Sequence, residues 1–485
     1  MKHLVFLIGL CFVVGVHSSY GETETARGIV FHDQNENGVH DENEPGIENV
    51  WVSNGVDLTA TDANGAYEIE VEDHSFVFVC KPRGWITATN ELNMPHFYHL
   101  HSPDGSPPVL NFPGIAPTGE LPDSIDFPLY PYDEQDEFRI VVLGDPQVRN
   151  VKEVDYLASD IVQDLVGVDA AFGVSLGDLA FDDLRVFGPL NQVMSRVGIP
   201  WYNVHGNHDM NFQAADDFHS ADTYKRVYGP TDYLFTYGDV HFIVLDNVEK
   251  RSGTSYHGEL GAERIEFLQN IIDQVEADEM VVVLFHIPMS RLRDMDSFID
   301  TLEQHPRMLV LSSHFHRQYH EFYDESQGWD AEPPLHHLVH VTACGNWWGG
   351  EPDERGIPHS TMACGTPNGW SFISFDGSDY TITYRAARRP ADYQMDIYAP
   401  HAIPASETAG MPVRVNVFAG SSRSTVQMRI QEETDWQTLE PAEGLHVWAG
   451  ELSTPLDPGV YTLEVSTTDM FDQTYVDHHV IRVHE

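Results

Sequence analysis

Five short apolar runs in this chain each end in a residue that can hold a metal ion. Val141-Val142-Leu143 leads to Asp145, Gly173-Val174-Ser175-Leu176 to Asp178, and Ile199-Pro200-Trp201-Tyr202-Asn203-Val204 to Asn207 and His208. Downstream, Met280-Val281-Val282-Val283-Leu284-Phe285 ends in His286, and Met308-Leu309-Val310-Leu311 leads to His314 and His316. Runs this short and this apolar read as strands buried on both faces. Helix-period stretches at Val154–Val166 and Glu263–Val275 alternate with them, the pattern of an α/β domain. In such sheets ligands bind beyond the carboxyl ends of the strands, so side chains far apart in sequence are expected to converge there.

The order of these ends resembles the signature of the calcineurin-like metallophosphoesterases, D-x-H, G-D, G-N-H, H and G-H-x-H. Here it reads Asp145-Pro146-Gln147, Gly177-Asp178, Gly206-Asn207-His208, His286 and Ser313-His314-Phe315-His316. Gln147 and Ser313 depart from the pattern, which has His and Gly at those places. The resemblance continues through Ala343-Cys344-Gly345-Asn346-Trp347-Trp348, Gly365-Thr366-Pro367-Asn368-Gly369-Trp370 and Thr468-Asp469-Met470-Phe471-Asp472. These segments are similar to exported bacterial members of three domains. The fold so implied is multidomain: a central α/β domain built as a four-layer αββα sandwich, flanked by two β-sandwiches.

The same resemblance implies two divalent metal ions, Mn, Fe, Zn or Mg. Asp145, Gln147 and His316 would face the first, Asn207, His286 and His314 the second, and Asp178 would bridge them. A metal-bound hydroxide would attack phosphorus, while two cations about 3.5–4 Å apart neutralise the phosphoryl oxygens. His208 would act as the acid–base group beside them. Asp182 is expected to orient it, with Asp183 the alternative, since the spacing from Asp178 departs from the common G-D-x-x-D. An amide oxygen at Gln147 is a weaker donor than an imidazole, so the first site should favour manganese or magnesium over zinc.

The formal net charge is -50, from 76 acidic and 26 basic side chains. A surface of that sign repels polyanions and gains little from counterion release, which disfavours nucleic acid as a partner unless metal ions supply local positive charge, and it reads as solubility in salty surroundings. The first 21 residues, with Lys2, an apolar core from Leu4 to Val16 and small residues at Ser18, Ser19 and Gly21, read as a signal peptide. Export to the periplasm or beyond is therefore expected, with no membrane span elsewhere. Oligomeric state leaves no trace in the sequence. Cys80, Cys344 and Cys364 remain after cleavage. A disulfide between Cys344 and Cys364, which flank one glycine-rich loop, is expected, the alternative being three thiols.

Residues 22–101 read as an N-terminal, prealbumin-like β-sandwich punctuated by Asn54-Gly55 and Asp62-Ala63-Asn64-Gly65. Within it, Asp33–Glu44 matches the calcium loop D-x-[DN]-x-[DN]-G-x5-E. Asp33, Asn35, Asn37, Asp41 and Glu44 would offer side-chain oxygens and Val39 its carbonyl, with Gly38 at the sharp turn. Residues 102–135 carry eight prolines and are expected to be an irregular connection. The catalytic domain follows at 136–390 and a second β-sandwich at 391–485.

Three further features have two readings each. His205 is a structural histidine or a substrate contact. Trp347 and Trp348 wall the pocket or pack against the C-terminal domain. Arg385, Arg388 and Arg389 form interface ion pairs or clamp phosphate. For the whole chain the competing reading is a non-catalytic surface or adhesion protein in which the central domain is only a scaffold, although a scaffold has no use for Asp178, Asn207, His208, His286 and His316 together.

Overall fold

The computed structural model describes residues 23–485. The expected signal peptide lies outside the described residues, and no described helix is long and apolar enough to cross a membrane.

Two sheets form the centre. One has five strands, ordered Trp201–Asn203, Gly173–Ser175, Glu137–Leu143, Gly369–Asp376 and Asp379–Ala386. Its first three strands are parallel and its last two an antiparallel hairpin. The other has six, ordered Tyr233–Tyr237, Val240–Val244, Met280–Leu284, Met308–Ser312, Leu335–Val339 and Tyr319–Tyr323. Its inner four are parallel, with antiparallel edges.

Side-chain alternation decides the layers, because successive residues of a strand face opposite sides. Along Glu137–Leu143, Ile140 and Val142 join the core between the two sheets, while Val141 and Leu143 face Val154, Leu157, Phe187 and Leu190 of the outer helices. On the far side Phe267 and Leu268 of Gly261–Ile272 and Phe298 of Met295–Leu302 cover the second sheet. The result is helix, sheet, sheet, helix. The first outer helix runs from Val151 to Leu165, with a π-type turn over Ala158–Val162.

The flanking units are both mostly β. The N-terminal sandwich pairs a four-stranded sheet containing Glu24–His32 with another containing Ser75–Val79. The C-terminal one pairs sheets of four and five strands around Val413, Val415, Met428, Leu463 and Ile481. The stretch 102–135 corrects the expectation of an irregular connection, since Phe127–Pro131 is a strand inside the first N-terminal sheet. It lies between Glu24–His32 and Trp85–Thr87. Phe127 and Leu129 point into the core, Pro128 and Tyr130 occupy the alternate, less buried positions, and Pro131 closes the strand exposed. The prolines hid the alternation.

Candidate metal centre

The strand ends deliver their ligands to one place. Asp178 is buried, with Oδ1 accepting the backbone N–H of His208 at 2.8 Å and Oδ2 lying 3.2 Å from His286 Nε2. Gln147 donates Nε2–H to the same Oδ2 at 3.0 Å. His286 Nε2 is 3.1 Å from Asn207 Oδ1 and 3.2 Å from His314 Nδ1. His316 Nε2 lies 3.3 Å from Asp145 Oδ2, and Asp145 Oδ1 accepts the backbone N–H of His314 at 3.2 Å. All seven expected ligands therefore meet, from five segments.

The donor set fits cations. Asp145 Oδ2 is buried and accepts no hydrogen bond, which is a costly state for a carboxylate unless a positive charge faces it. His286 Nδ1 lies 2.8 Å from the Leu176 carbonyl and His316 Nδ1 2.6 Å from the Gly345 carbonyl. Each contact calls for Nδ1–H as donor and leaves Nε2 as a lone pair aimed at the carboxylates, as in metal-ligating histidines. Among the described residues, the ligand atoms of Asp178, His286 and His314 lie within 4.8 Å of one another.

The two buried carboxylates, Asp145 and Asp178, dominate the local electrostatics. Burial would lower the pKa of His286, yet Asp178 and Asp145 beside it raise it to about 9. His314 goes the other way, to about 4, through burial and the neighbouring His286. The carboxyl of Asp145 is held below its ordinary value by His316 and His286 despite its burial.

Backbone strain is concentrated here. Of the fifteen non-glycine residues with positive φ among the described residues, eight are Asp145, Gln147, Asp178, Asp182, His314, His316, Trp347 and Trp348. Such conformations persist where the surroundings over-determine them, typically at functional sites. Glycines let the loops close up. A Cβ on Gly206 would fall 2.0 Å from the Asp178 nitrogen, and one on Gly177, at φ +88°, 2.6 Å from His286 Nδ1. The departure at Ser313 is absorbed by Gly144 opposite, where a Cβ would lie 2.2 Å from Ser313 Oγ.

His208 stands at the rim, its ring stacked on Phe181 at 4.4 Å between centroids, and its Nδ1 is 2.5 Å from Asp182 Oδ1. Burial lowers its pKa, but Asp178 and Asp182 outweigh that and raise it. Asp183 instead caps the following turn and pairs with Arg185 at 2.7 Å. His205 is buried 3.1 Å from Asp246, a structural placement. Trp347 is 42% exposed with its ring 4.4 Å from that of His316, whereas Trp348 is buried and donates to the Pro146 carbonyl. Arg388 pairs with Asp160 and Asp353.

The expected Cys344–Cys364 disulfide is corrected: both are free thiols. Cys344 turns inward, with Sγ 3.7 Å from Gln147 Oε1 and 3.8 Å from His316 Nδ1, while Cys364 Sγ lies 3.5 Å from Thr366 Oγ1. Each sulfur is committed to a different environment. One organising residue escaped the sequence reading. Asp209 is buried and accepts backbone N–H groups of Leu179, Ala180 and Gly206, stitching two ligand loops together. Its position next to His208 was the signal. Burial and the charge of Asp178 push its pKa up to about 7.

Three family models match the chain in order: the N-terminal domain of calcineurin-like phosphoesterases over residues 34–115, the calcineurin-like phosphoesterase domain over 138–318, and the C-terminal domain over 337–445. A search of curated proteins found no match. Among solved structures, a purple acid phosphatase from yellow lupin (Lupinus luteus) seeds aligns with 12% identity and a TM-score of 0.39, covering 76% of this chain and 67% of its own. Vps29 of Chaetomium thermophilum aligns with 8% identity and a TM-score of 0.22, covering 71% and 98%. Similarity that low decides nothing about the chemistry. With three models of one family matched in order along it, the chain belongs to the calcineurin-like phosphoesterases, metal-dependent hydrolases of phosphate esters.

Proposed function

We propose that this protein is an exported, two-metal phosphoesterase acting on small phosphate esters. The observation that carries the reading is the meeting of Asp145, Gln147, Asp178, Asn207, His286, His314 and His316 around an orphaned carboxylate oxygen. Asp145, Gln147 and His316 would hold one ion, Asn207, His286 and His314 the other, with Asp178 shared. The ions, Mn, Fe, Zn or Mg, would supply charge neutralisation at phosphorus and a water of lowered pKa.

The chain itself supplies the rest. His208, fixed by Asp182 and by the ring of Phe181, is set to hand a proton to the leaving oxygen. Gln147 is aligned by its hydrogen bond to Asp178, and a half-turn of its amide would present oxygen in place of nitrogen. The acidic surface favours small esters over nucleic acid. In the N-terminal module, Asp33, Asn35, Asn37, Val39, Asp41 and Glu44 are proposed to take a structural calcium ion.

The test is hydrolysis of phosphate monoesters and diesters by the mature protein reconstituted in turn with manganese, zinc, iron and magnesium. Turnover with at least one metal is expected, and its ester preference would assign monoesterase or diesterase. Inertness with all four would leave the scaffold reading.

A further inference from the structure

Outside the catalytic centre, Glu24, Asp73 and His101 come together at one corner of the N-terminal sandwich. Glu24 opens a strand of one sheet, and His101 closes the strand Tyr98–His101 in the other. Asp73 sits in the connection from Ala66–Val71 to Ser75–Val79, where the chain crosses between the sheets. One ligand atom from each residue lies within 4.8 Å of the others.

His101 is the informative member. Its side chain is 1% exposed, and neither ring nitrogen has a hydrogen-bond partner among the described residues. Buried polar groups are rarely left so, and each exception calls for an explanation. Nε2 nevertheless faces two carboxylates, Glu24 Oε1 at 3.4 Å and Asp73 Oδ1 at 3.5 Å. These separations exceed the 2.7–3.2 Å of a good N–H···O bond, about as far as two ligands sit apart across a tetrahedral ion. With metal–ligand bonds near 2.0–2.1 Å, the edge of the tetrahedron is about 3.3–3.4 Å.

A neighbouring cluster shows the contrast. His74 Nε2 is 2.8 Å from Asp222 Oδ1 and His219 Nδ1 is 3.0 Å from Asp222 Oδ2, distances at which protons already fill the contacts. That group is a hydrogen-bonded clamp between the N-terminal and central units.

We propose that Glu24, Asp73 and His101 form a separate metal site of zinc type. One imidazole nitrogen and two carboxylate oxygens suit zinc, whereas calcium takes six to eight oxygens. Both carboxylates are 48% exposed, which gives the ion a way in and leaves water for the fourth position. The ion would join the two sheets at the corner where His74, next to Asp73, grips Asp222 of the central domain. Its role is to brace that contact.

The experiment counts zinc bound to the full-length mature protein. Wild type and the Glu24→Gln/Asp73→Asn double variant, stripped by chelator, reloaded with zinc and desalted, are compared by elemental analysis and by activity. The variant is expected to retain one equivalent fewer, with unchanged phosphoesterase activity and a smaller rise in melting temperature on adding zinc. His101→Gln should lose the same equivalent. Glu91→Gln/Glu120→Gln, exposed acidic residues of the same half of the chain, should lose none. Equal zinc counts in wild type and the double variant would overturn the site, and so would an equal loss in the control, which would mean adventitious zinc on an acidic surface.

Discussion

His208 and Cys364 show how single side chains take their chemistry from their neighbours. The His208 ring is held by Asp182 rather than by one of the expected ligands, so His208→Ala is expected to keep the proposed metals and lower kcat by ~10²–10⁴. Elemental analysis and kinetics on one sample check this, and loss of metal would make His208 a ligand instead. Gln147→His should tighten the ion proposed for Asp145, Gln147 and His316 and shift its preference toward zinc, read from metal content against chelator concentration. Superimposable release curves would remove Gln147 from the ligand set. Burial would raise the Cys364 thiol, yet His446 beside it, the Gln318 backbone and Thr366 bring it down to about 7. Burial pushes both the Cys80 and the Cys344 thiols up. Thiolate is the reactive form, so at pH 8 alkylation should mark Cys364 first, with a rate that rises through pH 7. The linked stability has the matching sign: a lowered folded-state pKa favours the fold above the unfolded value near 9 and loses that contribution as pH falls through about 7. Mass spectrometry of the labelled peptides decides the order. The meeting of His208 and the seven expected ligands was legible in sequence because five short apolar strands lead into them within a few residues. Asp209 and the divided fates of Cys344 and Cys364 were not, because they depend on which loops face each other.

Among the elements, the loop Asp33–Glu44 is the most self-contained. Asp33 accepts the backbone N–H of Gly38 at 2.7 Å and of Asn37 at 3.2 Å, and Glu44 accepts those of Gln34 and Asp41 at 2.8 and 3.0 Å. The carboxylates are thus held at both ends of the turn. Calcium should raise the melting temperature of the full protein, since a ligand bound only by the folded state stabilises it by mass action. In Asp33→Ala/Glu44→Ala the rise should vanish; a rise of the same size would discard the calcium loop. Such a loop can be read from sequence since all its expected ligands lie within twelve residues. The strand Phe127–Pro131 could not, because its partner Val30–His32 is almost a hundred residues away and its prolines mimic a linker.

At the scale of the molecule, the N-terminal and central units are joined by buried polar clamps. Lys81 Nζ of the N-terminal module lies 2.5 Å from Glu134 Oε1 and 2.5 Å from the Thr236 carbonyl of the central sheet, with both charged side chains buried. Glu134 Oε2 also accepts the Gly238 N–H at 2.9 Å. Burial lowers the pKa of Lys81 while Glu134 opposes the shift, so the pair stands or falls together. Lys81→Met strands a buried carboxylate and is expected to cost about 3–5 kcal/mol, measured by denaturant unfolding. Adding Glu134→Gln should recover much of it. A single variant within 1 kcal/mol of wild type, roughly the worth of an exposed pair, would show that the clamp is not desolvated.

By itself the sequence determined the order of units, the parallel strands and the convergence of Asp, Asn, Gln and His side chains beyond their ends, because each is a local event written in a few consecutive residues. The tertiary structure alone decided that Asp182 rather than Asp183 holds His208, that Asp209 ties two loops, that Cys344 and Cys364 stay apart, and that Glu24, Asp73 and His101 meet. Those facts depend on strand register and on the facing of distant loops, which no local pattern encodes.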